Sequence, residues 1–177
     1  MKNVLFALLV FLCLQSAWGQ SVGDFNKSTR VYESDGSGKF LGLKVKLTIP
    51  TAWTQKEGQH PHIPVKFTYN FNDTTSISSN ITIKKIPKEY TAEIRKGITS
   101  EKYMRDVAKD MGAFLSYRKV KIDGEDAAEM KLKIVKNTPA ATVVAYAIYY
   151  HIVYKDYSIV LMYMNGSTED AKSKQYF

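Results

Sequence analysis

Of the 177 residues only one is a cysteine, Cys13, and it lies in a segment read below as removed on export. The rest of the chain therefore has no disulfide and no thiol chemistry, and packing alone must hold it. Beyond the N-terminal segment no apolar run is long enough to cross a membrane as a helix. There is no internal repeat and no low-complexity tract. The motifs G-x-S-x-G, H-E-x-x-H and the P-loop are all missing, which removes the nucleophile elbow, the zincin helix and the Walker phosphate cradle. Negative charge is also in short supply: 17 Asp and Glu face 25 Lys and Arg, a formal net charge of +8. A basic chain favours acidic partners. Export argues against nucleic acid and leaves acidic proteins, anionic lipid heads and acidic polysaccharides. The plainer alternative is that the lysines only solubilise a sheet.

What is present begins with a secretory pattern. Lys2 supplies the positive end, Val4 to Leu14 is an unbroken apolar run, and Ala17 and Gly19 are the small residues of a cut before Gln20. Residues 1–19 are read as a signal peptide, so the protein is expected to be periplasmic or extracellular. Leu12 is too bulky for a lipidation site at Cys13. Residues 20–29 are expected to be flexible and 30–177 to form one domain, sufficient for a sizeable core.

Period two dominates the domain. Leu43, Val45, Leu47 and Ile49 alternate with Lys44, Lys46 and Thr48. Val65, Phe67, Tyr69 and Phe71 alternate with Lys66, Thr68 and Asn70. Each run predicts a strand with one buried face. Ile81 and Ile83 predict a third strand, ending near Pro87. Tyr103, Met104, Val107, Ala108, Met111, Phe114 and Leu115 recur at three- and four-residue steps, predicting one long helix capped by Thr99. Alternation returns at Val120 and Ile122, turns at Asp123-Gly124, and continues through Ala128, Met130, Leu132 and Ile134. Residues 142–154 and 157–164 are apolar on both faces, so both strands should be interior. Ser167 or Thr168 is expected to cap a last helix, read as truncated at Phe177. The expected fold is α+β, with an antiparallel sheet of six to seven strands.

Five features together resemble the PsbP/Mog1 family, in an exported, bacterial-type form. They are Pro50 followed by Trp53, the helix start at Thr99-Ser100-Glu101, Gly124 followed by Ala127 and Ala128, the Tyr-rich strand pair from Tyr146 to Tyr163, and the final capped helix. The resemblance spans roughly Tyr32 to Phe177. It implies an αβα sandwich and a role in binding rather than catalysis, with no cofactor. No partner-contact motif of the family is identifiable in these residues.

Few side chains suggest chemistry. His60 and His62 flank Pro61 and could share a metal, as weak candidates with no carboxylate cluster beside them. His151 sits in an apolar strand and reads as a core histidine. Glu125, Asp126 and Glu129 follow the hairpin turn and read as solvated. Four N-x-S/T sequons, at Asn26, Asn72, Asn80 and Asn165, would matter only in a eukaryotic secretory pathway. Trp53 is expected to plug the core edge past Pro50, or else to stand exposed as a binding anchor. Lys44, Lys46, Lys66, Lys131 and Lys133 oppose the apolar positions of their strands and are expected to gather on one side of the sheet, away from the helix. These six residues are the partner-binding candidates. The expected function is docking of a protein partner without catalysis, with the net positive charge pointing to an acidic one. The alternative is a small-ligand carrier or enzyme using a pocket between sheet and helix.

Overall fold

The structure, a computed structural model, describes residues 28–168 except 73 and 74 and the side chains of 71 and 72. The signal segment, most of the flexible N-terminus and the last helix expected from the sequence lie outside these residues. The chain runs β1 (Thr29–Glu33), β2 (Lys46–Pro50), β3 (Thr54–Lys56), β4 (Val65–Asn72), β5 (Thr75–Lys85), α1 (Lys88–Ile98), α2 (Glu101–Ala108), β6 (Ala113–Ile122), β7 (Glu125–Asn137), β8 (Thr142–Tyr154) and β9 (Tyr157–Ser167). Strands β3 to β9 form one antiparallel sheet in the order β3-β4-β5-β9-β8-β7-β6. β1 and β2 pair separately as a two-stranded sheet. Thr29, assigned by the sequence to the flexible end, already pairs with Pro50.

In the meander β6-β7-β8-β9, two of the three connections are tight turns, and residues 138–141 close the third, between β7 and β8. Asp123 and Gly124 both take positive φ, the geometry of a two-residue hairpin turn, and Lys155 does so in the turn before β9. β8 and β9 are interior strands, as their two-sided apolar pattern predicts. β9 does not stop at Asn165-Gly166 but continues to Ser167, still paired to β5 and β8.

Pleating sorts the sheet into two faces, because residues paired across strands share a face. One row, Phe67, Ser79, Tyr163, Ile148 and Lys131, lies on the face that packs with Val45, Leu47 and Ile49 of the small sheet. The row one residue along, Lys66, Asn80, Met162, Tyr149 and Met130, lies on the face that carries the helices. There, Ile98, Met104 and Ala108 bury against Ala128, Met130, Leu132 and Ala147. Among the described residues, the two α-helices pack on this face, and the small sheet, with Phe40 of a short 3-10 turn, packs on the other.

The single long helix expected from Thr99 to Leu115 is corrected to two short ones. Thr99 does not cap it. It ends α1, and the extended Ser100 opens α2, its hydroxyl accepting a hydrogen bond from the Tyr103 amide at 3.4 Å. Met111 and Phe114 fit helical spacing, but the chain turns after Ala108 and Gly112 lies tight against β7. A Cβ there would stand 2.6 Å from the Lys133 carbonyl oxygen. Phe114 therefore belongs to β6 and still faces the helices, while Leu115 is a bulge without a partner on β7. α1 went unread because Ile94 and Ile98 are the only aliphatic anchors in a charged segment.

Pro50 and Trp53 mark the crossing between sheets. The Trp53 amide bonds the Pro50 carbonyl at 3.1 Å, closing a turn that carries the chain from β2 into β3. The indole, 6% exposed, is buried between the sheets and stacks on Tyr163 with centroids 6.4 Å apart.

Candidate functional site

The five lysines do not share a side. Lys44, just before β2, and Lys46, its first residue, alternate with the buried Val45 and Leu47, and Lys46 pairs with Glu33. Lys131 and Lys133 lie on the face under the small sheet, and the Lys133 ammonium sits 5.6 Å from the centre of the Tyr146 ring. Lys66 lies on the opposite face, the helix side. The expectation of one basic side away from the helices is therefore corrected. Relative facing depends on how β4 reaches β7 through β5, β9 and β8, and no local pattern encodes that path.

Lys66 instead joins lysines that the sequence did not single out. It pairs directly across β3–β4 with Lys56. Lys84, paired with Ser158, lies on the same face. All three are exposed. Strands β3, β4 and β5 contain no Asp or Glu. Between the lysines stand Thr54, Thr68, Asn80 and Thr82, and along β9 Val160 and Met162 border them. The loop carrying His60 and His62 abuts this end of the sheet, the Ile83 amide bonding the His62 carbonyl at 2.9 Å. The two imidazoles stack nearly parallel, 5.8 Å apart. Burial, Lys84 and His60 together hold the His62 pKa below its ordinary value. Among the described residues no third ligand joins the histidines to complete a metal site.

On the other face, Glu129 is not solvated but 3% exposed. Arg118 grips it with two hydrogen bonds, Nε to Oε1 at 2.7 Å and Nη2 to Oε2 at 2.6 Å. Burial opposes its ionisation, but the bonds from Arg118 and Tyr150 outweigh that and keep the carboxyl below the usual range. Burial and the bond to Glu129 push the Tyr150 hydroxyl up to about 12. The trio is an acceptor satisfied by two fixed donors, which suits a structural tie between three strands rather than proton transfer. One signal could have found it. A two-residue turn at Asp123-Gly124 pairs Ile122 with Glu125, and counting outward sets Arg118 opposite Glu129. Asp126 does remain at the surface, paired with Lys121.

His151 shares a 2.8 Å hydrogen bond between Nε2 and the Ser158 hydroxyl. Burial lowers its pKa to about 4. So weak a base is poorly matched to activating a serine at neutral pH. A cleft of about 490 Å³ opens beside the small sheet, lined by Tyr32, Asp35, Lys39, Phe40, Gln55 and Glu57. It is not between sheet and helix, where the alternative of a ligand carrier or enzyme would need its pocket, and its Lys39 is engaged by Glu57 at 2.8 Å. Two sequon asparagines, Asn80 and Asn165, are 8% and 0% exposed inside the sheet, closed to a glycan in the folded chain. The other two lie outside the described side chains.

No family profile and no curated protein matches the chain. Among solved structures, a crystal structure of a Pseudomonas aeruginosa protein of unknown function, PA94, is similar over 81% of this chain and 85% of that one. The identity is 13% and the TM-score 0.36.

Proposed function

We propose that the protein is an exported, non-catalytic accessory module of PsbP/Mog1 type that docks a protein partner by charge. The observation that carries this reading is the fate of the acids. Seven of them, Glu33, Glu57, Glu101, Asp106, Asp126, Glu129 and Asp156, are taken up in internal ion pairs. Pairing one to one leaves the excess of 25 Lys and Arg over 17 Asp and Glu in place, and Lys56, Lys66 and Lys84 carry part of it at the surface. A field of that kind steers acidic partners and weakens with salt. No helix among the described residues is long and apolar enough to cross a membrane. The test is a crosslinking pull-down from the native organism at low and physiological salt. A defined protein complex, strongest at low salt, is expected. Recovery of a small molecule with no protein partner would overturn the proposal in favour of a ligand carrier.

A further inference from the structure

We infer that the docking surface is the half of the helix face that α1 and α2 do not pack over, formed by Lys56, Lys66 and Lys84 with the Val160–Met162 border, and that its occupant is a protein segment presenting carboxylates beside an apolar residue. This rests on the accessory-module reading above and names its site. The first argument is the direct opposition of Lys56 and Lys66. Paired Cα atoms stand only about 5 Å apart, and like charges so placed destabilise a sheet. Discouraging edge pairing needs exposed lysines, but does not need two facing each other. A carboxylate seated between them relieves the repulsion. The second argument is the surroundings. Lys84 stands one strand over and four residues along from Lys66, roughly 14 Å away by strand geometry. The span between is acid-free and carries Asn80 and Thr82. The third concerns what covers the sheet. α1 and α2 pack over the β6–β8 half, with Ile98, Met104 and Ala108 against Ala128, Met130, Leu132 and Ala147. β9, next to that half, presents Val160 and Met162, both partly exposed. An apolar strip rimmed by charge is the anatomy of a protein interface, where methionine is enriched. A glycan or lipid headgroup would use the lysines and have no use for the strip.

The experiment uses the full chain and three probes: a synthetic peptide of alternating Glu and Leu, heparin, and vesicles of phosphatidylcholine with phosphatidylglycerol. Binding is read by calorimetry at 20 mM and 150 mM salt. The double reversal Lys56→Glu/Lys66→Glu should weaken peptide binding at least tenfold. Lys131→Glu/Lys133→Glu, on the other face, should change it less than twofold. If the reversal perturbs the circular dichroism spectrum, Lys56→Gln/Lys66→Gln/Lys84→Gln replaces it, with a loss of at least fivefold expected. Unchanged peptide binding in the altered proteins overturns the site. So does tighter lysine-dependent binding of heparin or vesicles than of peptide, which would make the face a general polyanion surface. In the pull-down, capture of the same complex by the reversed protein overturns this site alone. Absence of any protein complex with the unaltered chain overturns the accessory reading itself.

Discussion

Trp53 and His151 show how a residue's meaning depends on what closes over it. Trp53 is buried where the chain leaves the small sheet and stacks on Tyr163. Trp53→Ala should lower stability by roughly 3–5 kcal/mol, the range for large aromatics truncated in cores. Urea unfolding at neutral pH measures it, and an unmoved midpoint would return the indole to the role of exposed anchor. His151 titrates differently in the folded and unfolded chain. Unfolded, it takes up a proton near its ordinary value of 6.5; folded, it resists until about 4. The unfolded state thus binds more protons between those values, and stability present above pH 6.5 is lost as the pH falls through that window. The loss is on the order of 3 kcal/mol at most. His151→Gln should flatten that part of the acid limb in urea melts run from pH 7 to 4. An unaltered slope in the variant would assign the acid sensitivity to other groups.

At the scale of elements, glycine and a capping serine decide where helix gives way to strand. The Ser100 hydroxyl opens α2, and Gly112 lets the chain pass against the Lys133 carbonyl on its way into β6. Because the obstructing atom is backbone, Gly112→Ala should force β7 and the α2–β6 link apart, costing about 1–3 kcal/mol. Amide exchange in α2 should speed up with it; protection equal to the parent protein would count against this account. The periodicity of Met104, Val107, Ala108, Met111 and Phe114 was misleading here because all of them do reach one apolar layer. Phe114 arrives from a strand and Met104 from a helix.

For the whole molecule, two sheets and two helices build two cores, one on each face of the seven-stranded sheet. The sequence by itself determined which residues of each strand share a face, since period two is a property of the extended chain. It also determined two of the meander's three hairpins, β6–β7 and β8–β9, because two-residue turns fix the register of the strands they join. Arg118 opposite Glu129 was legible by counting from Asp123-Gly124, and Tyr146 opposite Asn165 by counting from Lys155-Asp156. Only the tertiary structure decided that β5 pairs with β9. That contact joins segments separated by both helices and the rest of the meander, and no turn sets its register. The same long-range pairing placed Lys66 on the helix side and Lys131 beneath the small sheet. The β3–β4 pairing, closed by a longer loop, set Lys56 against Lys66. Burial of Glu129 and Trp53 likewise awaited the closing of the small sheet over the large one. A one-residue slip in any of these pairings reverses every side chain that follows. The candidate surface therefore depended on tertiary pairing, although each of its lysines was visible in the sequence.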